Sequence, residues 1–249
     1  MSELAARLQR KYYPRDAHPY RHFERAVDAH LRSDAVLLDA GCGRTVPVLR
    51  QYVGRARRLI GVELVEFSDV PEGIETYRAD LCHIPVPAES VDLVMSRSVF
   101  EHLDDPAAVY REFARILKPG GRVVFLTANM WDYATLLARL VPNRLHPGIV
   151  AKVEGREEED VFPVRYRTNT RKAVSRLAAS SGFEVEDFRY LGQYPNYFMF
   201  NAALFLAGTA YDKLLERVDA LLFLRSLILV TLLRASDSAR SLSIPVVHP

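Results

Sequence analysis

Polar residues at the ends of aliphatic runs mark out a ligand site in the first half of this chain. Ala35-Val-Leu-Leu-Asp39 runs into Asp39-Ala-Gly-Cys-Gly43, Arg58 to Glu63 ends in Glu63, Glu75 to Asp80 ends in Asp80, and Ser90 to Ser96 ends in Ser96. Gly41 and Gly43 allow a sharp backbone turn and close approach to a ligand. Glu63, 20 residues past Gly43, stands where a ribose diol is held. A dinucleotide fits poorly, because Val46 occupies the third glycine position of G-x-G-x-x-G and Asp39 would repel a pyrophosphate. No G-x-x-x-x-G-K-[ST] loop occurs. These residues suit a nucleoside without phosphates, with a cationic portion near Asp39.

Proton acceptors near the strand ends are Glu101 and His102, in Ser98-Val-Phe-Glu-His-Leu103, and further along His146. Each has the chemistry of a general base for a hydroxyl acceptor. Each also has a non-catalytic reading, Glu101 and His102 as structural residues and His146 as a surface residue. His83, beside Cys82, reads as a loop residue. Two cysteines, Cys42 and Cys82, cannot form a zinc site alone and have no histidine partner to make a nucleophile. Asp104 and Asp105 read as a loop and a helix cap, and no cluster has metal-site spacing, so no metal is expected.

The elements that position these residues alternate. Strands are expected at 35–39, 58–63, 75–80, 90–96 and 122–127, with a helical segment around Val46 to Arg55. A helix capped by Asp105 and opened by Pro106 follows, with Val109, Phe113, Ile116 and Leu117 on one apolar face. Lys118-Pro-Gly-Gly121 stops it. Phe23, Val27, His30 and Leu31 give the N-terminal segment helical spacing. Alternating strands and helices argue for a parallel sheet covered on both faces. After Asn129 the rhythm breaks, and 130–168 reads as a lid over the carboxyl ends of the strands. Thr168 to Gly182 restores a helix, and Phe183 to Leu191 alternates as a strand.

Leu37-Leu-Asp-Ala-Gly-Cys-Gly43, Glu63, Asp80-Leu81, Val91-Asp-Leu-Val94 and Leu117-Lys-Pro-Gly-Gly121 come in an order and at separations that resemble class I S-adenosylmethionine-dependent methyltransferases, of the type 11/25-like kind. The resemblance covers residues 20–130. It implies an α/β, Rossmann-like doubly wound sheet of seven strands, the last antiparallel, with the lid inserted after strand five. It also implies one domain over 1–249, comprising a cofactor core at 20–130, the lid, and C-terminal helices and closing strands at 169–249. S-adenosylmethionine would lie over Gly41 and Gly43 with its amino group near Asp39. Glu63 would hold the ribose, Asp80 and Leu81 would read the adenine, and Ser96 would line the floor. Tyr20 and Arg21 are candidates for a segment folded over the cofactor.

The lid supplies Trp131, Tyr133, Tyr166 and Arg167 as a wall suited to a sugar or an aromatic ring. The layout around Arg165-Tyr-Arg-Thr-Asn169 is similar to methyltransferases of polysaccharide and secondary-metabolite assembly, which favours O-methylation of a glycan or glycan precursor. Methylation of a lipid, quinone or phenol at a membrane surface is the alternative, and a non-catalytic cofactor-binding relative a third reading. Formal net charge is +2, from 33 basic and 31 acidic residues, which gives no field for nucleic acid. The acid cluster at 154–160 reads as a solvated loop. Apolar runs at 197–210 and 220–233 fall short of the ~20 residues a membrane span needs. Ser226 to Leu233 is expected to be the closing strand, and 197–218 helices packed on the sheet, with a membrane-surface helix as the rival. The N-terminus lacks the apolar region of a secretory signal, and a cytoplasmic location is expected. Nothing in the pattern specifies self-association.

Overall fold

In the computed structural model, which describes residues 2–133, 135–136 and 163–236, the aliphatic runs pair into one seven-stranded sheet. The strands are β1 Val36–Ala40, β2 Arg58–Glu63, β3 Ile74–Arg78, β4 Val91–Arg97, β5 Leu117–Ala128, β6 Phe183–Leu191 and β7 Leu227–Arg234. Their order is β3-β2-β1-β4-β5-β7-β6. The first five run parallel, and β7 runs antiparallel between β5 and β6. The expected seven-stranded α/β architecture with an antiparallel last strand is the one observed. Most of the lid, with His146 and the acid cluster at 154–160, lies outside the described residues.

The two-residue period of a strand divides the central runs between two cores. Val36, Leu38, Ile60, Val62, Val94, Val123, Phe125 and Val230 face one side. Leu37, Leu59, Leu93, Met95, Val124, Leu126 and Leu229 face the other. This is why the runs are continuously apolar: both faces are covered. The first face carries α3, Pro106–Ile116, and α4, Arg171–Ser180, through Val109, Phe113, Val174 and Leu177. The second carries α2, Pro19–Asp28, through Phe23, Ala26 and Val27. Asp105 Oδ1 accepts from the Ala108 amide at 3.0 Å, and Thr170 Oγ1 from that of Ala173 at 3.2 Å, so both helices of the first layer begin at side-chain caps.

Phe100 stacks on Phe125 with ring centroids 3.9 Å apart, both fully buried between β5 and the loop after β4. Phe100→Ala is expected to cost about 3–5 kcal/mol by denaturant titration, the usual range for an emptied aromatic site. A loss under 1 kcal/mol would mean that the loop repacks freely.

Two expectations fail. The segment Val46 to Arg55 is not an α-helix; only a short 3-10 turn forms, Leu49–Tyr52. Pro47 disfavours the helical region for the residue before it, and Val46 sits at φ +45°. Gly54, at φ +77°, ends the segment. The turn packs instead through Cys42, Val46 and Leu49 onto Gly61 of β2, where a Cβ would meet Cys42 Sγ at 2.9 Å. Nor does the 197–218 region lie on the sheet. Its helix α5, Ala202–Arg217, packs chiefly on α1, Glu3–Tyr12, an element with no counterpart in the sequence reading. Tyr13 joins them, its hydroxyl donating to Asp212 at 3.2 Å and its ring lying edge-on to Phe205. Among the described residues no helix is long and apolar enough to cross a membrane.

Candidate functional site

At the carboxyl ends of β1, β2 and β4 lies a cavity of about 710 Å³. Asp39, Gly41, Gly43, Glu63, Asp80, Leu81 and His102 all line it. Gly41 and Gly43 take φ +77° and +74°, which L side chains rarely adopt. The amides of Gly41 and Cys42 donate to the Val62 carbonyl at 2.9 and 3.2 Å, clamping this loop to β2. Glu63 is held by both oxygens: Gly43 N donates to Oε2 at 2.9 Å and Leu64 N to Oε1 at 2.7 Å. The carboxylate is thereby aimed before any ligand arrives, with lone pairs remaining for hydroxyl donors. Asp80 Oδ1 accepts from Cys82 N at 2.8 Å, which shapes the turn that presents Leu81.

Asp39 is the outlier. It is buried, and its Oδ2 has no hydrogen-bond partner among the described residues. Burial raises its carboxyl to about 7, against the opposing field of Arg97 and with a smaller push from Glu63. A buried carboxylate lacking a partner is costly, and a cationic ligand group would supply one. The sign of the stability effect follows. The free folded protein holds this proton up to about pH 7, whereas the unfolded chain releases it near pH 4. The Asp39 contribution therefore falls as pH rises from about 4 to 7 and is flat above. Thermal melts across pH 5–8 should show the difference between wild type and Asp39→Asn growing in favour of the variant up to pH 7. A constant difference would refute the shift.

Other expected site residues are placed elsewhere. Ser96 is fully buried and donates to the Ala40 carbonyl at 2.7 Å, so it ties β4 to β1 rather than forming a floor. β4 runs one residue further, and Arg97, Ser98 and Val99 line the cavity instead. Glu101 is also buried away from the cavity. Its Oε2 accepts from Thr127 Oγ1 at 2.5 Å, and Thr127 accepts in turn from Asn169 Nδ2 at 2.8 Å. Its carbonyl accepts from the Arg165 and Tyr166 amides. Glu101 thus joins the loop after β4 to the end of β5 and the 165–169 segment. The described residues lining the cavity do not include Trp131, Tyr133, Tyr166 or Arg167. Tyr133 stacks on Phe198 and meets Tyr211 edge-on, Trp131 is exposed, and Arg167 donates to the Asp104 carbonyl.

His102 stands on the wall with Nδ1 at 3.2 Å from the Pro163 carbonyl. A carbonyl accepts only, so Nδ1 is the donor in this contact and Nε2 is the ring's other nitrogen. Burial pushes the thiols of both Cys42 and Cys82 up, Cys82 to about 11, so neither is a thiolate at neutral pH. Among the described residues no group of three His, Cys, Asp or Glu could hold a metal ion. Sequence reasoning passed over Arg97 and Arg165. The signal for Arg97 was its position directly after an apolar strand whose neighbour ends in Asp39.

This strand order, with acids at the ends of β1 and β2 and just beyond β3, defines the class I methyltransferase architecture. Residues 38–125 match the family model described as a methyltransferase domain, and the chain is similar to S-adenosylmethionine-dependent methyltransferases in sequence and fold. A probable S-adenosylmethionine-dependent methyltransferase of Mycolicibacterium smegmatis is 31% identical over 166 residues, 64% of this chain and 56% of that protein. The 27-O-demethylrifamycin SV methyltransferase of Amycolatopsis mediterranei is 31% identical over 104 residues, 37% of this chain and 38% of that protein. This chain thus spans about half the length, or less, of these curated relatives. In fold it is similar to geranyl diphosphate C-methyltransferase of Streptomyces coelicolor, with TM-score 0.56 over 87% of this chain and 76% of that one at 17% identity.

Proposed function

We propose that this chain, acting as a single domain, transfers a methyl group from S-adenosylmethionine to a hydroxyl of a small acceptor, a saccharide or polysaccharide precursor. The observation that carries the cofactor half is the set of residues at the strand ends: a buried Asp39 whose Oδ2 has no partner among the described residues, a pre-aimed Glu63 and two glycines at positive φ in one cavity. These residues fit the group. Asp39 would receive the ammonium, Glu63 the ribose hydroxyls, and Asp80 with Leu81 the adenine. When bound, the cofactor supplies a methyl already activated on a sulfonium.

What remains for the protein is to hold the acceptor in line and to take its proton. His102 Nε2 suits that proton acceptance. His146, outside the described residues, is the second candidate. Glu101 acts by holding the loop that carries His102.

The saccharide reading draws support from a second cavity of about 400 Å³ that shares Tyr20 with the first. Tyr13, Tyr20 and Tyr194 line it together with Gln9, Gln193 and His18, residue types that stack on and hydrogen-bond to sugar rings. The near-neutral charge balance also suits a neutral acceptor. A methyl-donor assay against sugar, phenol and lipid acceptors tests it; transfer confined to phenols or lipids would overturn the saccharide half. The lipid-surface alternative is favoured by one observation, the exposure of Phe200, Leu204, Leu206 and Leu214 around α5. It predicts flotation with liposomes.

If Asp39 receives the ammonium, its proton must leave first. Affinity for S-adenosylhomocysteine is therefore expected to rise about tenfold per pH unit up to about pH 7 and then level off. Calorimetry from pH 5.5 to 8 checks this, and Asp39→Asn should bind more weakly with no such slope.

A further inference from the structure

The amino-acid end of S-adenosylmethionine is a zwitterion, and Asp39 answers only its ammonium. In many nucleotide sites an anion is received by backbone amides of the glycine loop and the following helix N-terminus. Here three of those donors are already engaged and no such helix follows. The Gly41 and Cys42 amides bond to Val62, the Gly43 amide bonds to Glu63, and no α-helix follows the loop. A side-chain cation at this end of the cavity would answer the α-carboxylate.

Arg44, Arg97 and Arg165 line the cavity. Arg165 is taken by Asp104, with Nε to Oδ1 at 2.7 Å. Arg44 belongs to the loop beyond Gly43, where its carbonyl accepts from the Ser68 amide, and it is not on a strand paired with β1. Arg97 ends β4, the strand paired with β1, and stands two residues past Met95, the register partner of Asp39. Its field reaches the Asp39 carboxyl. Its guanidinium carbon lies 4.2 Å over the centre of the Tyr20 ring. A cation over a ring face is held in place while its N–H groups stay able to donate, and arginine recognises carboxylates through that fork. Arg97 forms no ion pair with any described carboxylate.

Resting on the cofactor reading above, we propose that Arg97, held over the Tyr20 ring, receives the α-carboxylate of S-adenosylmethionine while Asp39 receives its ammonium. The pair reads the amino-acid end of the cofactor as a dipole, and Tyr20 is the residue that positions Arg97. The site then separates the full cofactor from nucleosides that share its adenosine but lack the amino acid.

Calorimetry with two probes, S-adenosylhomocysteine and 5′-methylthioadenosine, tests this on wild type, Arg97→Met and Arg97→Lys. The methionine variant is expected to lose about 10- to 100-fold in affinity for S-adenosylhomocysteine, the usual worth of hydrogen bonds to a charged group. Its affinity for 5′-methylthioadenosine should stay within about threefold, because that probe has no carboxylate. Lysine should restore part of the loss, and Tyr20→Ala should reproduce a fraction of it. Equal weakening of both probes would show that Arg97 only shapes the cavity, and no change in either would show that it is not a ligand contact; both overturn the proposal. If wild type binds neither probe, the cofactor reading fails and this proposal with it. If wild type binds both while Arg97→Met leaves their ratio unchanged, the cofactor reading stands and only the Arg97 assignment falls. Circular dichroism of each variant separates loss of fold from loss of contact.

Discussion

Gly41→Ala is expected to lower S-adenosylhomocysteine affinity at least 100-fold and the thermal midpoint by roughly 5–10 °C. Two costs combine. Gly41 sits at φ +77°, where an L residue costs about 1–2 kcal/mol. An added Cβ would also collide with Val99 Cγ2, and Val99 lines the same cavity from the loop after β4. Relief of that overlap must move one wall, so binding suffers more than stability does. Two controls separate the costs. Gly54 has the same φ, but nothing lies within 4 Å of its Cβ position. Gly54→Ala should therefore lose about 1 kcal/mol of stability and no affinity. Val99→Ala added to Gly41→Ala should recover part of the binding by removing the overlap. Failure to recover any would place the whole effect in the backbone. Calorimetry and thermal melts read all four proteins.

His102→Gln should lower kcat by about 10²- to 10⁴-fold on a hydroxyl acceptor, with S-adenosylhomocysteine affinity changed less than about threefold. Glutamine keeps a donor toward the Pro163 carbonyl, so the loop stays in place while the basic nitrogen is lost. An effect confined to kcat is the mark of a group that acts as the reaction proceeds rather than in cofactor binding. A fall under tenfold would remove His102 as the base and favour an acceptor that needs none, such as a nitrogen or an acidic carbon. His146→Gln, measured beside it, asks whether the second candidate carries the role. Glu101→Gln is a useful contrast. Its carboxylate bonds to Thr127 and does not line the cavity, so stability should fall more than turnover.

The residues that sequence reading placed well are those whose neighbours along the chain reveal their surroundings. β1 and β7 are aliphatic throughout because both faces of the sheet are covered, and such a run is visible without coordinates. Asp39, Glu63 and Asp80 were legible because a polar residue directly after an apolar run falls at a strand end, where an open parallel sheet binds its ligand. The cap at Asp105 and the stop after Ile116 were legible for similar local reasons.

The misplaced residues depend on distant parts of the chain. Ser96 and Arg97 are adjacent, and a strand sends adjacent side chains to opposite faces. Which of them meets the cavity depended on β4 extending one residue further along β5, with Arg97 paired to Leu126. Glu101 carries a base's chemistry, yet Thr127, 26 residues away, claims its carboxylate. The apolar stretch at 202–217 found its partner in α1, nearly 200 residues earlier, so no local pattern could have placed it there. By itself, then, the sequence determined the sheet, its burial and the acids that line the cavity, because burial period and strand-end polarity are properties of short segments. Only the tertiary structure decided which side chains line the cavity and which tie the frame together, because that depends on register and on contacts between segments far apart in the chain.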